Sequence, residues 1–263
     1  MEKSLDDFLD ILTPVTSLPE NHNITTYLSN RKIPTDRWVD IFYTEDFFEI
    51  LRRVSSRTYN IVLEQLMFPE GSLLPKENRI VTVTRKRNGT LHCFVGRSIG
   101  NYNIQTKYRS VSTDTKEALF YNIERIDPQK TVYICEGVFD AMQLDNAVAQ
   151  CTIAGPETMI SGGTYMKSLK NYKSSPYLDL PFDDIVFVFD NQLSFKPVNN
   201  SYKKLVEWGH KVFIWPKGLE KYKDINELIF GYTKEQIHDI ITENTFSGDA
   251  AMKIIRSCDD ESS

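Results

Sequence analysis

The chain has 263 residues, of which 41% are hydrophobic and 25% charged, with a net charge of −5. That is ordinary globular composition, enough for one large or two modest domains, and the negative balance disfavours a general nucleic-acid coat. No stretch approaches the roughly 20 apolar residues of a membrane span, and "MEKSLDDFLD" carries acids where a signal peptide needs an apolar run, so the expectation is a cytoplasmic protein.

In chain order, residues up to about Thr115 read as mixed α+β. "SLDDFLDIL" and "NITTYLSNRK" have the pattern of amphipathic surface helices, and Pro34 is expected to end the second. Two strand-like runs in "NRIVTVTRKRNGTLHCFVGRSI" flank Asn88-Gly89, a dipeptide that suits a type I′ hairpin turn. Around this hairpin cluster Arg79, Arg85, Lys86, Arg87, Arg97, Lys107 and Arg109, with Tyr102 and Tyr108 interleaved. Cations that follow a phosphate backbone, together with aromatics that stack on bases, are the ingredients of a single-strand track. A solvated hairpin tip is the alternative for "RKRNG", whereas Arg97 and Lys107 are better read as phosphate contacts.

From Asp127 onward short apolar runs alternate with helical periods: "TVYIC", "FDAMQLDNA", "CTIAG", "DIVFVFD", "SYKKLVEW", "KVFIWP" and "DINELI". This alternation predicts an α/β unit with a mostly parallel sheet and helices on both faces. The expected division is therefore 1–126, 127–242 and a short tail over 243–263, its "CDDESS" end disordered. Within the second division, Glu157–Leu180 includes "SGGTYMKSLKNYKSS", which reads either as a phosphate-contacting loop or as a plain surface loop. Cys93, Cys135, Cys151 and Cys258 are scattered without a C-x-x-C pair, so neither a zinc ribbon nor a disulfide framework is expected.

Three acids fall where strands give way to helices. Glu136, followed by Gly137, ends the strand-like Val132–Cys135, and Asp140 lies about one helical turn further on. Asp190 ends the most apolar strand, where an unmatched charge is costly. Asp224, next to Lys223, opens the helix of "KDINEL" after "KVFIWP"; its spacing to Glu227 is that of a capping-box variant, so it reads equally as a cap and as an acid at a strand's carboxyl side. In open α/β sheets ligands collect at those carboxyl ends, which makes this edge the expected platform for a divalent cation and for phosphoryl transfer.

"ICEGVFDA", "CTIAG", "VFVFDN" and "KDINEL", in that order, resemble the Toprim domain of DnaG-type and phage primases, a Rossmann-like fold. The preceding "RIVTVTRKRNGTLHCFVGRSI" with its following "KY" resembles the basic, strand-rich subdomain that leads into Toprim. The opening "NITTYLSNRKIP" and the "IWP…KDINELI" ending are most like primases of large tailed phages. Carried over residue by residue, the resemblance implies Glu136 as metal ligand or general base, Asp140 as the helical acid near the substrate, and Asp190 as the first acid of a D-x-D. The position of the second is Gln192, which offers a metal a neutral oxygen only. Asp224 would complete the metal set, and Arg97 and Lys107 would contact template or triphosphate. Arg79, Arg85 and Arg109 of the basic cluster, and Lys223 beside Asp224, are read from the residues themselves as further substrate or nucleic-acid contacts.

The resemblance further implies a DNA primase that uses Mg²⁺ or Mn²⁺, a single-stranded DNA template and ribonucleoside triphosphates, works beside a replicative helicase, and lacks the zinc ribbon usual in the family. Two other readings use the same residues. One is a Toprim nuclease or topoisomerase-like enzyme, although no tyrosine stands in a nucleophile motif; the other is a catalytically weakened module that binds single strands or helicase, as Gln192 permits.

Overall fold

The computed structural model describes residues 5–55, 59–60, 63–64, 67–99, 107–112, 118–153, 184–191 and 196–260; Tyr102, Gln192 and Glu157–Leu180 lie outside them. The chain divides into two compact units, one formed by Met1–Glu124 with Cys151–Thr164, the other by Arg125–Gln150 with Tyr165–Ser263.

The first unit is built on an antiparallel sheet in the order β1-β2-β3-β4-β5, with strands Thr13–Pro14, Ile41–Thr44, Arg79–Arg85, Leu91–Ser98 and Tyr108–Ser112. Val81, Val83, Leu91, Phe94 and Val111 from β3, β4 and β5 pack against Phe47, Phe48, Ile50 and Leu51 of helix α2 (Phe47–Val54) and against Phe8 and Leu12. Asp46 starts α2, its Oδ1 accepting from Phe48 N at 3.1 Å. Leu5–Ile11, read as an amphipathic helix, is a 3₁₀ helix. Helix α1 (Asn23–Asn30) stops before Pro34 is reached: Lys32 takes φ 51°, and Lys32 N and Ile33 N donate to Ser29 O and Leu28 O at 2.9 and 3.1 Å. That is a Schellman stop, with Ile33 and Leu28 both buried beneath it.

The β3–β4 hairpin forms, but not with a type I′ turn. Such a turn needs positive φ at both central residues, and only Gly89 has it, at 83°. Gly89 N donates to Lys86 O and Lys86 N to Thr90 O, each at 2.8 Å, closing a wider loop in which glycine supplies the left-handed residue. A short strand β6 (Ala118–Tyr121) follows.

In the second unit, β7 (Val132–Cys135), α3 (Val138–Gln143), β8 (Ala147–Ile153), β9 (Ile185–Val188), α4 (Lys196–Glu207), β10 (Lys211–Phe213), α5 (Ile225–Leu228), α6 (Lys234–Glu243) and β11 (Thr245–Phe246) follow one another. Their strands lie in the run β11-β10-β9-β7-β8. The β10/β9, β9/β7 and β7/β8 pairs are parallel and β11 pairs antiparallel with β10, so the sheet is mixed. The expected tail is instead largely a helix, α7 (Gly248–Asp260), which takes in Cys258–Asp260. Ala251 and Ile255, one turn apart, are fully buried, and Asn199 Nδ2 of α4 donates to Ile255 O at 3.0 Å. Apolar burial on one face outweighs the polar composition that suggested disorder.

A candidate acidic active site

The strand order positions the site. From β7 the chain goes to β8 on one side, and from β9 to β10 on the other, so the carboxyl ends of β7 and β9 flank the switch point where ligands bind in open α/β sheets. Cys135 and Val188 are paired at those ends. Asp140 enters on α3, Asp190 two residues beyond β9, and Asp224 at the N-cap of α5, which follows β10. Each of these three acids offers a carboxylate oxygen within 4.8 Å of the others.

Asp140 is the deepest of them, 8% exposed, with Oδ1 accepting from Asn226 N at 2.9 Å. A β-carbon at Gly137 would collide with Asp140 Oδ2, so the glycine is needed for close approach rather than for an unusual φ. Burial, then Asp224, Asp190 and Glu136, push the Asp140 carboxyl well above its ordinary value against the pull of the Asn226 bond. The sequence places this residue among substrate contacts; the fold instead makes it a member of the acid cluster, because α3 turns its first-turn carboxylate toward α5.

Asp190 pairs with Lys223, Oδ2 to Nζ 3.4 Å. The next residue, Asn191, clasps the loop that carries Lys223 and Asp224: its N donates to Lys223 O at 2.7 Å and its Nδ2 to Leu219 O at 3.1 Å and Tyr222 O at 2.9 Å. Trp215 Nε1 fixes Phe189 O from β10's side at 2.9 Å. Asp224 is a cap as expected, Oδ1 accepting from Glu227 N at 2.9 Å while Glu227 Oε2 accepts from Lys223 N at 2.7 Å, and it belongs to the acid cluster as well. Burial works against the Lys223 ammonium, but Asp190, Asp224 and Asp140 outweigh it and raise its pKa.

Glu136 stands exposed at the same strand end, outside the group of three, and its charge still helps to raise the pKa of Asp140 and of the Tyr202 phenol, the latter chiefly raised by burial. Behind the cluster the buried Cys135 thiol is pushed well up by burial, Asp140 and Asp190, which keeps it neutral and inert.

The basic residues of the first unit separate into two kinds. Arg79 is wholly buried, its guanidinium bonded to Glu77 Oε1 at 2.6 Å, Gly96 O at 2.8 Å and Lys107 O at 3.3 Å. Arg109, also buried, bonds the other oxygen of Glu77 at 3.3 Å, and burial holds its guanidinium below the ordinary value. Expected as nucleic-acid contacts, both instead form a structural ion-pair triad, since a buried, paired guanidinium has no face left for phosphate. Arg85 is turned onto its own hairpin, Nη1 to Gly89 O 3.0 Å.

Arg97 and Lys107 are different. Arg97 lies over the rings of Tyr108 and Tyr27 at 5.2 and 5.8 Å and donates to Tyr108 Oη; Lys107 lies over Tyr108 at 5.5 Å and Arg31 over Tyr27 at 5.2 Å. Tyr27 on α1 and Arg31 at its C-cap join this group from far outside the hairpin, and their i, i+4 spacing is the local signal the sequence carries for it.

No family model matches the chain. It is similar to the DNA primase of Enterobacteria phage T4, 26% identical over 249 residues that make up 94% of this chain and 63% of the relative, so it spans under two thirds of that protein's length. Among solved structures it matches the E. coli primase catalytic core with TM-score 0.60 and 14% identity, covering 97% of this chain and 83% of the other. The DnaG primase catalytic domain bound to ssDNA matches with TM-score 0.58 and 15% identity, over 91% and 79% of the two chains. The zinc-binding and RNA polymerase domains of the Aquifex aeolicus primase match with TM-score 0.57 and 19% identity, over 92% and 60%. The fold is that of a primase catalytic core, and the likeness to phage primases read in the sequence is met by the T4 relative.

Proposed function

We propose that this protein is a phage-type DNA primase, a metal-dependent nucleotidyltransferase that makes short RNA primers on single-stranded DNA, and that its second unit is a Toprim domain. The observation that carries this reading is the convergence of Asp140, Asp190 and Asp224 within 4.8 Å at the switch point of a sheet with a primase-core fold. The donor set fits Mg²⁺ or Mn²⁺: it is all carboxylate oxygen, hard ligands that zinc sites seldom use alone. A cation also answers the burial of Asp140, which is otherwise costly to ionise.

Asp140, Asp190 and Asp224 would hold the ion, which when bound supplies positive charge to the triphosphate of an incoming ribonucleotide. Glu136, exposed beside them, has the access to water and substrate that a general base for a primer 3′-hydroxyl needs, or it lends a further ligand oxygen. Lys223 would offer its half-exposed ammonium, beside the cluster, to phosphate, and Gln192 would add a neutral oxygen. On the first unit, Arg97 and Lys107 take the phosphates of the template strand, with Tyr108, Tyr27 and Arg31 beside them. The partners of this reading are single-stranded DNA, ribonucleoside triphosphates and a replicative helicase in the host cytoplasm.

The test is incorporation of labelled ribonucleotides on single-stranded DNA with Mg²⁺ or Mn²⁺, comparing wild type with Glu136→Gln and Asp190→Asn. Short products that vanish in both variants support the reading. Absence of products with helicase supplied, together with cleavage of the DNA in the same tubes, would replace it with a nuclease.

A further inference from the structure

The acid cluster already faces a cation from its own chain. Lys223 Nζ lies 3.4 Å from Asp190 Oδ2, the lysine side chain 49% exposed and the aspartate 18%. Its root is fixed on both sides: Lys223 N donates to Glu227 Oε2 and Lys223 O accepts from Asn191 N, each at 2.7 Å. The backbone of Lys223 is thus anchored, while its ammonium, a point charge on a four-carbon stem of rotatable bonds, stands beside the cluster. The carboxylate it touches is one of the three that would hold an ion, so a divalent cation and Lys223 draw on the same oxygen pair.

Resting on the reading of the cluster as a divalent-cation site, we propose that Lys223 is its resident counter-ion, paired with Asp190 until the cation arrives and then passed to the phosphates of the incoming nucleotide. The charges are consistent with this exchange. Lys223 offsets one negative charge of the cluster at Asp190, and a divalent cation held by the same acids offsets that charge in its place. Once the cation satisfies Asp190, the ammonium keeps its charge and loses its partner, and the nearest new anion is a triphosphate. The pair with Asp190 thus discourages idle occupation by metal and holds a phosphate ligand ready for substrate.

The two halves of the exchange predict effects of opposite sign, which a merely structural role would not produce. Calorimetric titration of the full chain with Mn²⁺ alone is expected to give roughly threefold to tenfold tighter binding for Lys223→Met than for wild type, because a competing charge at a half-exposed pair is removed. Titration with a ribonucleoside triphosphate at saturating Mn²⁺ is expected to give binding weaker by about tenfold in the same variant. Lys223→Arg, which keeps the charge, should follow wild type in the first titration. Equal or weaker Mn²⁺ binding by Lys223→Met, or unchanged nucleotide binding, overturns the exchange while leaving the metal site in place. Wild type that binds no Mn²⁺, and so cannot be distinguished from Asp190→Asn, overturns the metal-site reading and this inference with it.

Discussion

Replacing Arg79 by Met tests whether the buried arginines of the first unit serve the fold or the nucleic acid. The side chain has no exposed surface, bonds Glu77 at 2.6 Å and two backbone carbonyls at 2.8 and 3.3 Å, and its guanidinium lies 5.6 Å from the ring of Phe47. Breaking a buried ion pair from one side costs about 3–5 kcal/mol, because the remaining charge stays buried. Here Glu77 keeps Arg109 at 3.3 Å and methionine refills much of the volume, so the lower end, about 3 kcal/mol, is expected. That is a large share of a stability on the order of 5–15 kcal/mol.

Urea denaturation, with hydrogen exchange at β3 and β4 amides to assign the loss to the first unit, measures the cost. The salt dependence of single-stranded DNA binding measures the other role: at a temperature where both variants are folded, Arg79→Met should leave the slope of log K against log salt unchanged. Arg97→Ala should make it shallower by roughly 0.7, the share of one phosphate contact on a single strand. A loss below about 1 kcal/mol for Arg79→Met, accompanied by a shallower slope, would refute the structural assignment and restore the nucleic-acid one.

Other expectations concern the second unit. Gly137→Ala places a methyl group against Asp140 Oδ2 and should lower Mn²⁺ affinity by about tenfold or more in calorimetry, with the circular dichroism of the fold retained. Asp140→Asn should abolish primer synthesis yet raise the melting temperature of the metal-free protein at neutral pH, since the amide oxygen still accepts from Asn226 N and no charge is buried. The pH dependence has a defined sign: the Asp140 carboxyl is raised in the folded state, so its contribution to stability is fully present below the ordinary carboxylate pKa and is lost as pH rises through the raised value. Metal-free wild type should lose stability over that window relative to Asp140→Asn. Asn191→Ala removes two bonds to the loop before α5 and should cost roughly 1–3 kcal/mol in thermal denaturation, with a larger proportional loss of Mn²⁺ affinity than of DNA binding.

Much of the second unit was legible in the sequence because its strands are short apolar runs bounded by helical periods, a pattern that burial on both faces imposes. The edge that carries Asp190 and Asp224 followed from that alternation. The membership of Asp140 in the cluster did not, since it depends on which way α3 turns and on α5 arriving to bond it. In the first unit a row of arginines looks alike in sequence, yet Glu77, close to Arg79 but far from Arg109, decides that these two are buried; that pairing is made across β3, β4 and β5 and leaves no local trace. β3 and β4 are buried along most of their length, so Arg79 at the start of β3 is buried with them, whereas Arg85 and Arg97 near the far ends of the two strands are half-buried. The α7 helix was hidden in the same way, its apolar face too sparse to outweigh the acidic end until Ala251 and Ile255 meet α4.

The acids at the candidate site combine two demands that usually conflict. A carboxylate offered to a cation must be fixed in place, and fixing it with hydrogen bonds uses the lone pairs that the cation needs. Here the work is divided between oxygens: Asp140 Oδ1 accepts from Asn226 N and Asp224 Oδ1 accepts from Glu227 N, so each acid spends one oxygen on its anchor and has a second to offer. Asp190 pairs with Lys223, and the backbone on either side of it is held by the Asn191 clasp and the Trp215 bond to Phe189 O. Substituting serine for Asp224 separates the two demands, because serine still caps the helix with one oxygen but offers no charge. Stability within about 0.5 kcal/mol of wild type, together with primer synthesis reduced by about a hundredfold, is the expected outcome. Unfolding of α5 would mean that the cap alone explains the aspartate, and unimpaired synthesis would remove Asp224 from the metal set.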